Sequence, residues 1–330
     1  MGGRFFMCTV IAMHGNPFLF GRNMDMDCGF GERVIVTPRN YPFLFRKGAV
    51  MRQHYAMIGM GAVREGYPLY ADAVNEKGIC MAGLHFPRSA VYAKEDQAEK
   101  ASISPFELIP WVLGQCASVE EAGDLLSRTN LIDIPFDPKL PLTPLHWIVS
   151  DESGSIVLEC MSDGMHLHKN PLGILTNEPP FPFHLFHLGE YLNLSPKNPS
   201  PIYGDTVPIC GLGMGSRGLP GDYSSPSRFV KAAYLMLCSR PEGDTLSRVG
   251  QLFHILDAVA PVKGSVMTDG GSPHYTTYSC CMDAEQGLYY YQTFENRRII
   301  AVSLHQCALH SCNLKEFSLQ KTQDFLQQKD

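Results

Sequence analysis

The sequence contains few charged residues, and it lacks the features typical of nucleic-acid-binding, membrane-spanning and secreted proteins. Charged residues make up 18% of 330, the net charge is −6, and no cluster of Lys and Arg occurs. An acidic balance without a basic patch argues against nucleic acid as the main partner. No apolar run is long enough to cross a bilayer, and the segment before Cys8 is too short for a secretory signal.

The pattern of cysteines and histidines predicts neither a disulfide framework nor a metal site. Eleven cysteines lie scattered in mostly apolar stretches, and no two of them form a C-x-x-C pair. This predicts reduced thiols and a cytoplasmic location. The pairs His166-x-His168 and His184-x-x-His187 have no further ligand at suitable spacing. The glycine-rich segment 211–215 has no lysine and opens no helix, so we expect neither a nucleotide nor another cofactor.

The order of predicted elements favours one layered α+β domain. Short apolar segments between turn residues make the first ninety residues β-rich. Two helices follow, opening at Ser104 and Ser118. A second group of strands, a short helix at 183–192, a long loop at 195–224, two more helices and three strands complete the pattern. The last eighteen residues are polar with a helical tendency, and no repeat or linker divides the chain.

The stretch from Met7 to Asp27 contains a candidate nucleophile. If Met7 is the initiator, its removal leaves Cys8 with a thiol and a free α-amine. The amine has a pKa of about 8 and the thiol of about 8.5, so one residue can supply both nucleophile and base. A hairpin would bring Arg22 beside the thiol and Asp25 beside the amine. The alternative is a buried apolar cysteine in a first strand.

Eight motifs, part of a pattern that covers about residues 7–305, carry a more specific signal. They are Met7-Cys8-Thr9, Gly21-Arg22-Asn23-Met24-Asp25, Asn75-Glu76-Lys77-Gly78, Ala82-Gly83-Leu84, Leu175-Thr176-Asn177-Glu178-Pro179, Gly218-Leu219-Pro220-Gly221-Asp222, Ser227-Arg228-Phe229-Val230 and Tyr275-Thr276-Thr277-Tyr278-Ser279. In this order and spacing they resemble the choloylglycine hydrolases, the family of bile salt hydrolases and penicillin V acylases.

The resemblance implies a four-layer αββα sandwich of the N-terminal nucleophile hydrolases, with two antiparallel sheets between helix layers. Residues 1–7 would be a leader or an alternative start, and residues 8–330 a single domain. Cys8 would be the nucleophile and, through its amine, the base. Asp25 would hold the amine, Arg22 would favour the thiolate and Asn177 would donate to the oxyanion, while Arg228 would complete the polar cluster.

The implied substrate is a conjugated bile salt, an amphipathic amide cleaved through a thioester to release glycine or taurine. His85 departs from the family, which has Asn here in bile salt hydrolases and Tyr in penicillin V acylases. We expect His85, Met24 and Leu140 to contact the substrate in an apolar pocket. A penicillin V acylase-like or N-acyl amino acid amidase activity and a non-catalytic bile-acid-binding homologue stay open. The family also suggests a homotetramer.

Overall fold

Two large antiparallel sheets form the centre of the protein. The computed structural model describes residues 6–139, 142–200, 202–203, 206–207, 211–240 and 243–328. The first sheet has the strand order β14-β1-β2-β16-β17-β18, and β15 pairs with β16 outside this path. Its strands are β1 (Met7–Met13), β2 (Leu19–Met26), β14 (Ile174–Leu175), β15 (Val266–Met267), β16 (Pro273–Asp283), β17 (Leu288–Thr293) and β18 (Ile300–Ser303).

The second sheet has eight strands in the order β13-β12-β11-β8-β7-β6-β3-β19. They are β3 (Arg33–Thr37), β6 (Met57–Arg64), β7 (Tyr67–Asn75), β8 (Cys80–His85), β11 (Leu145–Asp151), β12 (Gly154–Met161), β13 (Gly164–Lys169) and β19 (Lys315–Ser318). Two small pairs lie outside the sheets, namely β4 (Phe43–Leu44) with β5 (Val50–Met51) and β9 (Ala101–Ile103) with β10 (Thr129–Leu131).

Helices cover the outer face of each sheet. They are α1 (Leu108–Leu113), α2 (Val119–Ser127), α3 (Phe181–Leu188), α4 (Ser225–Cys238) and α5 (Thr245–Ala258). The helices α4 and α5 contact the first sheet, and α1 and α2 contact the second. One apolar core joins both sheets with α4 and α5, and another lies between the second sheet and α1 with α2. Within the described ranges, no helix is long and apolar enough to cross a membrane.

Local signals explain where several helices begin. Ser118 accepts a hydrogen bond from the backbone N–H of Glu121 at 3.2 Å, which satisfies one of the free donors in the first turn of α2. Glu107 accepts from the backbone N–H of Ser104 at 2.9 Å before α1. α2 therefore starts where the sequence predicts, whereas the segment after Ser104 begins as a 3-10 turn, Pro105–Glu107, that continues into α1. The expected short helix at 183–192 is present as α3 followed by a 3-10 turn.

The predicted helical tendency of the last eighteen residues is wrong for the segment that forms β19. Lys315–Ser318 pairs antiparallel with β3, and Phe317 lies opposite Val34. Phe317 packs partly buried against the central core, while its neighbours face outward. A short alternating segment thus covers the edge of the second sheet, where unpaired backbone groups would otherwise be exposed.

Candidate active site

Cys8 lies in β1, between β14 and β2 in the first sheet. It pairs with Met24 on β2, and only 2% of its surface is exposed. Its Sγ accepts a hydrogen bond from Nη2 of Arg22 at 3.1 Å and lies 3.8 Å from Sδ of Met24. The hairpin predicted from the sequence therefore places Arg22 at the thiol, as expected.

The environment of Cys8 contains opposing influences on its ionisation. Burial raises the pKa of the thiol, and the positive charges of Arg22 and Arg228 lower it. The carboxylate of Asp25 raises it, and a backbone hydrogen bond from His85 lowers it. The net result is a raised pKa, so the thiol is protonated near neutral pH. A nucleophile in this state requires a base to remove its proton.

Asn177 and Arg228 meet at the backbone of Cys8. The Arg228 guanidinium donates from Nη1 to the Cys8 carbonyl at 2.5 Å and to Oγ1 of Thr9 at 2.7 Å. Its Nη2 donates to Oδ1 of Asn177 at 2.7 Å, and the same oxygen accepts from the Cys8 backbone nitrogen at 2.8 Å. Arg228 is buried in the first turn of α4, so this helix directs a cation into the site.

The main chain of Asn177 is held by side chains from three other segments. Its N–H donates to Oγ of Ser225 at 2.8 Å, and its carbonyl accepts from Nε2 of His184 at 2.9 Å. The preceding carbonyl, of Thr176, accepts from Nε2 of His146 at 2.9 Å. His184 thus helps to fix the main chain of Asn177.

Asp25 occupies a buried position with incomplete hydrogen bonding. Its Oδ1 accepts from Oγ1 of Thr276 at 2.6 Å, while Oδ2 has no hydrogen-bond partner among the described residues. Burial raises the pKa of Asp25 to about 6, against the charge of Arg228 and the bond from Thr276. With Met7 attached, the Cys8 nitrogen donates to Asn177. The residue paired with Asp25 across the strands is Met7.

While residues precede Cys8, replacing Asp25 with asparagine should stabilise the fold. The folded pKa of about 6 exceeds the ordinary 3.8, so the ionised carboxylate destabilises the native state above pH 6. The shift corresponds to about 3 kcal/mol, and we expect Asp25→Asn to raise the free energy of unfolding at pH 7 by about 1–3 kcal/mol. This gain should disappear as the pH falls through 6 toward 3.8.

Urea unfolding at pH 7 and pH 4 measures this difference, because the folded wild type gains more protons at Asp25 than the unfolded chain over that interval. Asp27→Asn, two residues further along and less buried, is the matched control and should change stability little. An Asp25→Asn variant that is less stable than the wild type at pH 7 would contradict the interpretation.

The structure describes two of the three residues that the sequence predicts to contact the substrate. Met24 lies against the thiol, and His85 ends β8 with 4% of its surface exposed. The carbonyl of His85 accepts from Nδ2 of Asn177 at 2.9 Å, and its Nδ1 accepts from the Phe6 N–H at 3.1 Å. Burial lowers the pKa of His85 to about 4, so its ring is neutral at pH 7. Leu140 lies outside the described residues.

Several residues of the site were not singled out from the sequence. Thr9 binds Arg228, and Thr276 binds Asp25. Both belong to motifs that indicated the family, but no role was assigned to them. Asp72 lies in β7 and contacts Arg22. A carboxylate in an otherwise apolar strand is unusual, and this was the one feature of the sequence that could have indicated a role for Asp72.

Comparison with solved structures identifies the fold. A mutant form of conjugated bile acid hydrolase from Clostridium perfringens superimposes with a TM-score of 0.91 at 35% identity, covering 97% of this chain and 99% of that one. Penicillin V acylase from Agrobacterium tumefaciens gives a TM-score of 0.74 at 19% identity, with 94% and 91% covered. The fold is the αββα sandwich of N-terminal nucleophile hydrolases, which confirms the predicted fold class.

Sequence comparison then identifies the family. Residues 8–318 match the model of linear amide C–N hydrolases, choloylglycine hydrolase family. A bile salt hydrolase/transferase of Lactiplantibacillus plantarum is 45% identical over 315 residues, covering 95% of this chain and 97% of that protein. The corresponding protein of Clostridium perfringens is 37% identical, with 96% and 98% covered. The chain belongs to the choloylglycine hydrolase family and is a hydrolase of carbon–nitrogen amide bonds, as predicted.

Proposed function

We propose that this protein hydrolyses the amide bond of conjugated bile salts and releases a bile acid with glycine or taurine. The observation that carries the proposal is the Cys8 thiol, 3.1 Å from the Arg22 guanidinium, with Asn177 and Arg228 bound at its backbone. The names of the two similar bacterial proteins support the substrate class, and the chain spans nearly their whole length.

The first chemical step is attack of the thiolate on the amide carbonyl. The α-amine of a Cys8 freed from residues 1–7 takes the thiol proton, and Arg22 stabilises the resulting negative sulfur. Asp25 balances the charge of the α-ammonium, because its Oδ2 has no other partner among the described residues. Because the α-amine removes the thiol proton and Arg22 stabilises the thiolate, a thiol with a raised pKa can still react near neutral pH.

The second requirement is stabilisation of the tetrahedral oxyanion. We assign this to the side-chain amide of Asn177, which uses one N–H for the His85 carbonyl, and to the backbone N–H of His85. Collapse of the intermediate breaks the carbon–nitrogen bond, and the α-ammonium returns its proton to the departing amine. Water then attacks the thioester, with the α-amine as base, and the bile acid leaves as a carboxylate.

A second candidate substrate is penicillin V or another N-acyl amino acid. The observation that keeps it open is His85, which matches neither the asparagine expected of a bile salt hydrolase nor the tyrosine expected of a penicillin V acylase. The carbonyl of His85 binds Asn177, and its neutral ring accepts from the Phe6 N–H, so we expect the ring to contact the substrate once residues 1–7 are removed. A change at this position alters the contacts of the leaving amine without removing the backbone N–H.

A direct comparison of glycocholate, taurocholate and penicillin V tests the proposed substrate. We expect kcat/KM for at least one bile salt to exceed that for penicillin V by about 100-fold, equivalent to about 3 kcal/mol in the transition state. The assay measures the released amine or 6-aminopenicillanic acid. Turnover of penicillin V alone would favour the second candidate, and glycocholate binding without turnover of any substrate would favour a non-catalytic binding protein.

We also propose that the protein assembles as a homotetramer. Two large apolar side chains, Phe186 on α3 and Leu192 just after the following 3-10 turn, are 81% and 85% exposed in the single chain. Such residues are typical of surfaces that bind another protein. Light scattering should give about four times the chain mass of 36.6 kDa, and Leu192→Glu should reduce it. Leu246→Glu, at an exposed position on α5, is the matched control, and a monomeric wild type would contradict the proposal.

A further inference from the structure

A buried carboxylate on the second sheet binds side chains of the first. Asp72, on β7, accepts a hydrogen bond from the Tyr289 hydroxyl at 2.6 Å on Oδ1 and from the Tyr278 hydroxyl at 2.7 Å on Oδ2. Nη1 of Arg22 lies 3.5 Å from Oδ2. All four residues are completely buried, so the cluster joins the two sheets directly beneath the candidate nucleophile.

An irregularity in the second sheet supplies another partner for Arg22. The register between β6 and β7 shifts so that Ala71 is an extra residue beside Asp72. Its carbonyl accepts a hydrogen bond from Nη1 of Arg22 at 2.8 Å. A bulge of this kind frees a backbone group from the ladder and redirects it. Beside the bulge, a Cβ at Gly59 would overlap the Asp72 carbonyl, so close packing also fixes this strand.

The Arg22 guanidinium is therefore fixed by one nitrogen and acts through the other. Nη1 contacts Asp72 and the Ala71 carbonyl, whereas Nη2 donates to the sulfur of Cys8. We propose that Asp72, held by Tyr278 and Tyr289, is the positioning residue for Arg22 and thereby controls the reactivity of the Cys8 thiol. This inference rests on the proposed role of Cys8 as nucleophile but not on the identity of the substrate.

The distances show that the Asp72 carboxylate interacts more closely with the two tyrosine hydroxyls than with Arg22. Its bonds to the two hydroxyls are much shorter than its 3.5 Å contact with Arg22. Burial and the charge of Asp72 raise the pKa of Tyr278 and Tyr289 well above the usual value, so both stay protonated donors. The tyrosines thus hold the carboxylate away from a tighter ion pair, and the positive charge of Arg22 stays available to the sulfur.

Removing both hydroxyls tests this role without removing either charge. We expect the double variant Tyr278→Phe with Tyr289→Phe to raise the apparent pKa of Cys8 by about one unit. Among the described residues, Asp72 then keeps only long contacts with the Met60 N–H at 3.4 Å and the Cys280 thiol at 3.7 Å, so it interacts more strongly with Arg22. Alkylation of Cys8 by iodoacetamide would be about tenfold slower at a fixed pH below that pKa, since only the thiolate reacts. Mass spectrometry of the Cys8 peptide separates this thiol from the other ten cysteines.

The matched control is Tyr290→Phe, the next residue along β17, whose side chain points to the opposite face of the strand. Its alkylation profile should equal that of the wild type. With substrate, the acid limb of kcat/KM for the double variant should move to higher pH in step with alkylation. We expect KM to stay within about twofold, because the cluster lies beneath the thiol and outside the predicted substrate contacts.

A role limited to joining the two sheets predicts another outcome. The double variant would then unfold at a lower temperature while the pH dependence of Cys8 alkylation stayed that of the wild type, and this result would overturn the proposal. If the double variant does not fold, each single variant removes one hydrogen bond and should show part of the same shift. The expected alkylation behaviour in a protein that hydrolyses no bile salt would contradict the proposed substrate but support the role of Asp72.

Discussion

Replacing Cys8 with alanine should lower amide hydrolysis by at least about 10⁴-fold. The variant lacks the sulfur that forms the thioester, and no other described cysteine contacts both Arg22 and the Asn177 side chain. The change removes one buried atom from β1, so the fold should persist with a modest loss of stability. Release of glycine from glycocholate, followed by mass spectrometry, measures the effect.

Cys312→Ala provides the matched control for this experiment. Cys312 is an exposed thiol outside the candidate site, so its removal should leave turnover unchanged. Binding of glycocholate by Cys8→Ala, measured by calorimetry, would show that the substrate pocket is intact. If the variant hydrolysed the amide at the rate of the wild type, the assignment of Cys8 as nucleophile would be wrong.

Keeping residues before Cys8 should lower turnover by about 10² to 10⁴, the usual contribution of a general base. In a longer chain the Cys8 nitrogen is an amide that donates to Asn177 and cannot accept the thiol proton. The upstream residues also occupy the site, because the Phe6 N–H binds His85 and the Phe6 ring lies 4.9 Å from the His85 ring. The loss of the base and the occupied site both lower the rate of hydrolysis.

Two preparations of the wild-type sequence test this requirement. One starts at Met7 and loses the methionine in the host, while the other retains residues 1–7, and intact mass identifies each. A cooperative urea unfolding transition in each preparation would show that both are folded. Full turnover in the preparation that retains residues 1–7 would exclude the α-amine as base.

The sequence alone predicted the hairpin that carries Cys8, because apolar strands, a turn and a polar cluster occur within about twenty residues. The contribution of Asn177 and Arg228 could be predicted only from the family resemblance. They lie 169 and 220 residues from Cys8, and nothing local shows that they meet it. The contact of Asp72 with Tyr289 spans 217 residues and depends on how two sheets stack, which no motif indicated.

The wrong prediction for the C-terminus has a related cause. Lys315–Ser318 is short and mostly polar, and its pairing with β3 is decided by the position of the sheet edge. Strand formation depends strongly on such neighbours, so local composition is a weak guide there. The helical segments after Ser104 and Ser118 were predicted correctly because their caps are encoded within four residues.

The order in which the site is completed has a consequence for biosynthesis. Cys8 is synthesised early. The strand β16, which pairs with β2, and the site residues Arg228 and Thr276 are synthesised late. Since domains generally fold as units, the segment around Cys8 stays accessible on the ribosome until most of the chain has emerged. The finished protein leaves Cys8 only 2% exposed. Aminopeptidases of the host therefore have their best access to this end of the chain during translation, before the sheet closes over it.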